Sequence, residues 1–153
     1  MNTIKKVAEF HKAFGVSIPS EPTNLVGGDS PLYAMALHHL QMARDYFRAS
    51  ARCDSKRAIR MALESEELLE LGDALNRSDL AAALDAQVDR RYIADGTTLA
   101  LGMAGVFDEA FERVHAANMA KLGPDGKAII DAAGKIQKPE GWVAPDLRDL
   151  VKR

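Results

Sequence analysis

Five carboxylates, Glu66, Glu67, Glu70, Asp85 and Asp89, stand close together in two neighbouring stretches, Glu64-Ser-Glu-Glu-Leu-Leu-Glu70 and Asp85-Ala-Gln-Val-Asp89. Residues three and four apart share a helix face, so Glu67 and Glu70 lie on one stripe with Leu63 and Ala74, and Glu66 sits at its edge. By the same spacing Asp85 and Asp89 share a stripe with Ala81, Val88 and Tyr92. If the two helices fold back as an antiparallel hairpin about Asn76-Arg77-Ser78, Glu70 faces Asp85 and Glu66 faces Asp89. Acid groups that close cannot all stay ionised in a dry site without a counter-charge. A hard divalent cation removes the conflict, and Mg²⁺ accepts a few carboxylates plus water and substrate phosphates. A solvated acidic face is the competing explanation. It accounts less well for acids placed on apolar stripes rather than on a polar face.

The elements that must position these residues read as helices. Apolar residues at 4, 7, 8, 10 and 14 predict an amphipathic helix over 3–14, with Thr3 as N-cap and Gly15 as stop. Ser17 to Pro31 is a connector with three prolines and a Gly-Gly pair. Pro31 suits a first helical turn, so a second helix is expected from there to about Arg52. The acidic helix should start near Asp54 or Ser55 and end near Asn76. Its partner should begin with Ser78 as N-cap and run to about Thr98, or on to Leu101 before Gly102. Val106 to Leu122 is the last strong helix, closed by Gly123-Pro124. Turn signals at Asp125-Gly126 and Ala133-Gly134 admit a small hairpin. Lys138 to Asp146 reads as an ordered loop and Pro145 to Lys152 as a short terminal helix. The fold class is therefore all-α, an antiparallel bundle of four or more helices with a C-terminal arm, in one domain over 1–153.

Composition narrows the function. A chain of 153 residues that is 47% hydrophobic can bury a core. Its net charge of −2 lacks the basic excess of a nucleic-acid-binding surface. Cys53 is the single cysteine, so an intramolecular disulfide is excluded and a reducing compartment fits. Met1-Asn-Thr-Ile-Lys-Lys leads into no long apolar run, so neither a signal peptide nor a membrane span is expected, and the location expected is cytoplasmic. His38 and His39 are adjacent and point to different faces, which is poor geometry for a shared ligand site. Glu112-x-x-His115 is half of a di-iron pattern that needs a second such motif, and none is present.

Three pieces in order carry a family resemblance. They are Glu66-Glu67-x-x-Glu70, then Asp89-x-x-Tyr92 with Gly96-Thr97, then Val114-His-Ala-Ala-Asn118-Met-Ala-Lys121 running on to Asp125-Gly-Lys and Lys138-Pro-x-Gly-Trp142. Together they resemble the MazG-like all-α nucleotide pyrophosphohydrolases, with phosphoribosyl-ATP pyrophosphohydrolase and relatives of the dimeric dUTPases. The resemblance implies Mg²⁺, with Mn²⁺ as a substitute, and cleavage of a nucleoside triphosphate between the α and β phosphates to a monophosphate and pyrophosphate. It implies that Glu67, Glu70 and Asp89 hold the metal and that Glu66 assists with metal or the attacking water. Asn118 and Lys121 match the nucleotide-contacting helix, and Lys138 and Trp142 match its C-terminal tail.

His115 and Tyr92 complete the substrate set, although each also reads as a core residue, and Trp142 also reads as a pin for the arm. Lys121 is equally a helix C-terminal lysine favoured by the macrodipole. Ala86 stands where the family carries a glutamate, and Asp85, about 40° around the helix from Asp89, is the substitute at hand. Arg90, Arg91 and Asp95 replace apolar residues, which leaves open a nucleotide-binding or regulatory relative of weakened activity. Leu63, Leu68, Leu69, Leu71 and Leu75 nearly surround the acidic helix, so more than one face needs cover. A homodimer through the hairpin helices, or a dimer of dimers, is expected on that pattern and on the resemblance.

Overall fold

Short, well-marked turns divide the chain into helices. The computed structural model describes residues 2–25, 30–53, 55–123, 125–132 and 135–152. Helix α1 spans Thr3–Ala13, α2 Pro31–Ala51, α3 Lys56–Asn76, α4 Leu80–Ala100 and α5 Ala104–Met119. No strand occurs among the described residues, so the all-α expectation holds. The turn signals after α5 yield two isolated antiparallel bridges, Leu122 with Ala128 and Ile130 with Ile136, rather than a ladder. The expected Gly27-Gly28 connector, the Asp54 start, Pro124 and the Ala133-Gly134 turn fall outside the described residues.

Two N-caps differ from the sequence reading. Asn2, not Thr3, caps α1, its Oδ1 accepting from the Lys5 N–H at 3.1 Å. Asp79, not Ser78, caps α4, its Oδ1 accepting from the Ala82 N–H at 3.0 Å. Ser78 instead ends α3 in the left-handed region, with φ +55°. There the Ser78 N–H reaches the Leu75 carbonyl at 3.1 Å and the Asp79 N–H reaches the Ala74 carbonyl at 2.9 Å. This pair of bonds satisfies the last carbonyls of α3 before the chain reverses. One tight turn thus stops α3 and starts α4, which fixes the hairpin register.

The chain forms two compact units, Met1–Ser20 with Gly102–Arg153, and Glu21–Leu101. In the second, α3 packs against both α2 and α4. Its buried face is mostly small residues, with Ala58, Ala62, Ser65, Gly72 and Ala74 beside Leu69 and Leu71. Small side chains let neighbouring helices approach closely. At Gly72 a Cβ would lie 2.5 Å from Leu37 Cδ2, so the Leu37 side chain of α2 fills the space the glycine leaves, and the Tyr33 hydroxyl donates to the Gly72 carbonyl at 3.0 Å.

In the other unit α1 packs on α5, linked by Lys6–Glu112 at 2.7 Å. The helix expected over 145–152 contracts to a single 3₁₀ turn, Arg148–Leu150. Asp146 Oδ1 takes both the Arg148 N–H and its Nε–H at 2.9 Å, an arrangement that competes with a longer helix.

Candidate active site

The register of α3 and α4 puts Asp85 and Asp89 within electrostatic reach of Glu67. Burial pushes the Glu67 carboxyl above the ordinary glutamate range, and the charges of Glu70, Asp89, Glu66 and Asp85 push it further in the same direction. Glu67 Oε2 is buried without a hydrogen-bond partner. A buried acceptor left unpaired costs free energy, so an orphaned carboxylate oxygen among like charges is a donor atom that a cation or a proton would satisfy.

A metal was expected here, and the donor chemistry fits one. All five groups offer hard oxygens, and the partnerless oxygen belongs to the residue at their centre. Among the described residues no three His, Cys, Asp or Glu side chains are already gathered at ligand spacing. A cation would therefore have to draw these side chains inward. Glu70, Asp85 and Asp89 are exposed and have room to move. Ala86, between the two aspartates in sequence, is 1% exposed. The rotation of α4 thus turns a methyl into the core and leaves Asp85 and Asp89 flanking it.

One cation reaches this cluster from a third helix. Arg48 of α2 donates through Nη2 to Glu66 Oε1. Glu66, read from the sequence as a free carboxylate, is thus held by a guanidinium. Arg48 was not legible as a site residue, although folding α2 against α3 about Arg52–Ser55 brings the two positions toward each other. Arg91 and Asp95 pair at 2.9 Å as their spacing predicts, and Arg90 bonds Gln87 at 3.3 Å.

The substrate residues expected on α5 and the arm fall in the other unit, and four of them meet. The Trp142 indole N–H donates to the Ala117 carbonyl at 2.7 Å, satisfying a carbonyl of the last turn of α5. Lys138 Nζ lies 4.4 Å and Lys121 Nζ 5.6 Å from the centre of the Trp142 ring. Lys121 also donates to Asn118 Oδ1 at 2.8 Å. Two cations over one indole ring beside a helix C-terminus form a compact basic patch. His115 faces α1 instead, with Nε2 3.4 Å from Glu9 Oε2, and Glu112 pairs with Lys6.

Tyr92 is corrected outright. It is 78% exposed, not a core residue, because the face of α4 that meets α3 is the one bearing Ala86. Comparison with protein-family models, with curated proteins and with solved structures finds no match.

Proposed function

We propose that the chain is a Mg²⁺-dependent nucleoside triphosphate pyrophosphohydrolase that cleaves between the α and β phosphates. The observation that carries this reading is the orphaned, buried Glu67 Oε2 at the centre of five converging carboxylates. The ordered motifs supply the reaction class. Glu67, Glu70, Asp89 and Asp85 are the metal-holding set, and Mn²⁺ is a chemically equivalent probe. Bound there, the cation supplies charge neutralisation for the triphosphate.

The remaining steps belong to the protein. Glu66, steadied by Arg48, orients water through its second carboxylate oxygen. The resemblance further assigns phosphate to Lys121 and Lys138 and the nucleotide to Asn118, His115, Trp142 and Tyr92. Incubation with a panel of triphosphates in Mg²⁺ should give monophosphate and pyrophosphate. Release of orthophosphate and a diphosphate would overturn the reading.

A second reading follows from the Arg48–Glu66 pair, which engages the residue assigned to the water. It makes the chain a nucleotide-binding or regulatory relative with little turnover. Triphosphate binding in Mg²⁺ without any product would select it.

The proposed working form is a homodimer, or a pair of dimers, in the reducing cytoplasm. Leu84, Val88, Tyr92 and Leu99 all stand exposed along α4, and Cys53 is a free, exposed thiol. No helix among the described residues is long and apolar enough to cross a membrane.

A further inference from the structure

Arg60 is a half-buried guanidinium on α3 whose side chain makes no hydrogen bond or ion pair among the described residues. It lies over α4 at Gly96, where a Cβ would stand 3.1 Å from Arg60 Nη1 and 3.9 Å from its Cζ. Gly96 therefore makes the space that the guanidinium fills. Glu64, one turn along α3, would be the ordinary partner at that spacing. Its Oε1 instead lies 3.3 Å from the Thr97 hydroxyl, which also has the Ile93 carbonyl at 3.0 Å. A half-buried cation with five fixed donors and no acceptor is unusual, because such donors normally find an anion.

We propose that Arg60, framed by Gly96, is a phosphate subsite that takes the pyrophosphate end of a bound triphosphate. The inference rests on the pyrophosphohydrolase reading for its substrate. Its position is what connects it to the carboxylates. Arg60 precedes Glu67 by seven residues on α3, and Gly96 follows Asp89 by seven on α4. Both steps are two helical turns, about 10 Å, so the same seam carries the carboxylates at one level and the guanidinium at the next. A triphosphate whose α-phosphorus lies at the carboxylates extends its β and γ phosphates along that seam, toward the guanidinium held at the level of Gly96. A planar fork matches phosphate oxygens in two parallel hydrogen bonds. Placed on the leaving side, it meets negative charge as it builds on pyrophosphate during in-line displacement, which is where a fixed donor lowers the barrier.

The test is binding of inorganic pyrophosphate in Mg²⁺ by calorimetry, with Mn²⁺ binding followed separately by its electron-spin signal. Arg60→Gln should weaken pyrophosphate at least about tenfold and leave Mn²⁺ affinity and helix content unchanged. Arg60→Lys should recover part of the loss. Gly96→Ala, which crowds the guanidinium, should give an intermediate loss. Unchanged pyrophosphate affinity in Arg60→Gln overturns the subsite, as does a wild-type protein that binds no pyrophosphate. An Arg60→Gln protein that loses only thermal stability, with the loss cancelled by Glu64→Gln, makes Arg60 a counter-charge for Glu64 and also overturns it. Pyrophosphate bound through Arg60 by a protein that hydrolyses no triphosphate keeps the subsite and removes the hydrolase reading instead.

Discussion

The two units set their most telling carboxylates in different electrostatic company, Asp149 beside a guanidinium and Glu67 among other acids. In the unit of α1, α5 and the arm, Lys6, Arg113, Lys121 and Arg148 each have a partner of opposite sign or a neutral acceptor. Arg113 bonds Asp149 at 2.6 and 2.8 Å, Glu109 at 2.5 Å and the Asp146 carbonyl at 3.0 Å. In the unit of α2–α4, Glu67 has like charges around it and an oxygen with no partner. Paired surface charges each contribute little to stability and report on folding. Converging like charges that are left unbalanced oppose folding, and such sites are where function is sought first.

The largest effect that separates the units is on turnover. Glu67→Gln, Glu70→Gln and Asp89→Asn should each reduce Mg²⁺-dependent hydrolysis by more than about 100-fold, since even outer partners of a metal site cost 10–100-fold. The circular dichroism of each variant should stay that of the wild type. Near-normal turnover in any two of them would make the acidic cluster a solvated face. Asp85→Ala should weaken Mn²⁺ affinity about tenfold if Asp85 replaces the glutamate absent at Ala86. Unchanged affinity would remove Asp85 from the set.

Much of the helical frame was legible in the sequence, and the reasons are local. The helices were readable because Pro31, Ser55, Gly15 and Gly102 mark their ends. That Asp85 and Asp89 come within electrostatic reach of Glu67 was readable because only Arg77–Asp79 separates α3 from α4, so the register had little freedom. Caps slipped by one residue because adjacent polar residues compete for the same N–H groups, and Asn2 and Asp79 won over Thr3 and Ser78. Tyr92 was misplaced because spacing gives the relative rotation of residues on a helix and not which stripe is turned inward. Arg48 and Arg60 were missed because a cation is informative only once its neighbour on another helix is known. Glu66 for one and Gly96 for the other are 18 and 36 positions away.

Next in size is association. Leu80, Leu84, Val88, Tyr92 and Leu99 line an exposed apolar stripe on α4, about 28 Å long at the ordinary helical rise. A stripe of that kind commonly marks an interface. The double variant Leu84→Glu with Tyr92→Glu should convert a dimer to a monomer at micromolar concentration in light scattering, because burying two unpaired charges there is prohibitive. A monomer mass for the wild type would refute the dimer and leave the carboxylate argument intact.

Trp142→Ala probes the paired unit. It removes the indole bond to Ala117 and the ring under Lys138 and Lys121, a loss of about 2 kcal/mol. The arm should then be cut early by a nonspecific protease, with Mn²⁺ binding unchanged. Wild-type resistance to cleavage would mean that Arg113 and Asp149 hold the arm by themselves.

The smallest effect is on the pH dependence of stability, and its sign differs between the units. Glu67 has a folded pKa raised above its unfolded value, chiefly by burial and then by Glu70 and Asp89. Its ionisation therefore destabilises the metal-free fold, and that penalty is relieved as pH falls from above the raised pKa into the ordinary glutamate range. Asp149 is the reverse case. Its hydrogen bonds from Arg113 hold the carboxyl below the usual aspartate range, so its contribution is present above that range and lost as pH falls through the depressed value. Metal-free Glu67→Gln should accordingly melt a few degrees above wild type at pH 7, with the gap closing on acidification toward pH 4. Asp149→Asn should melt slightly below wild type at pH 7, with that gap also closing, but only at lower pH. Saturating Mg²⁺ should abolish the advantage of Glu67→Gln, because the cation then stabilises the wild-type carboxylate and proton and metal compete for one oxygen. If Glu67→Gln melts with the wild type at every pH, the carboxylate is solvated and the contrast between the units disappears.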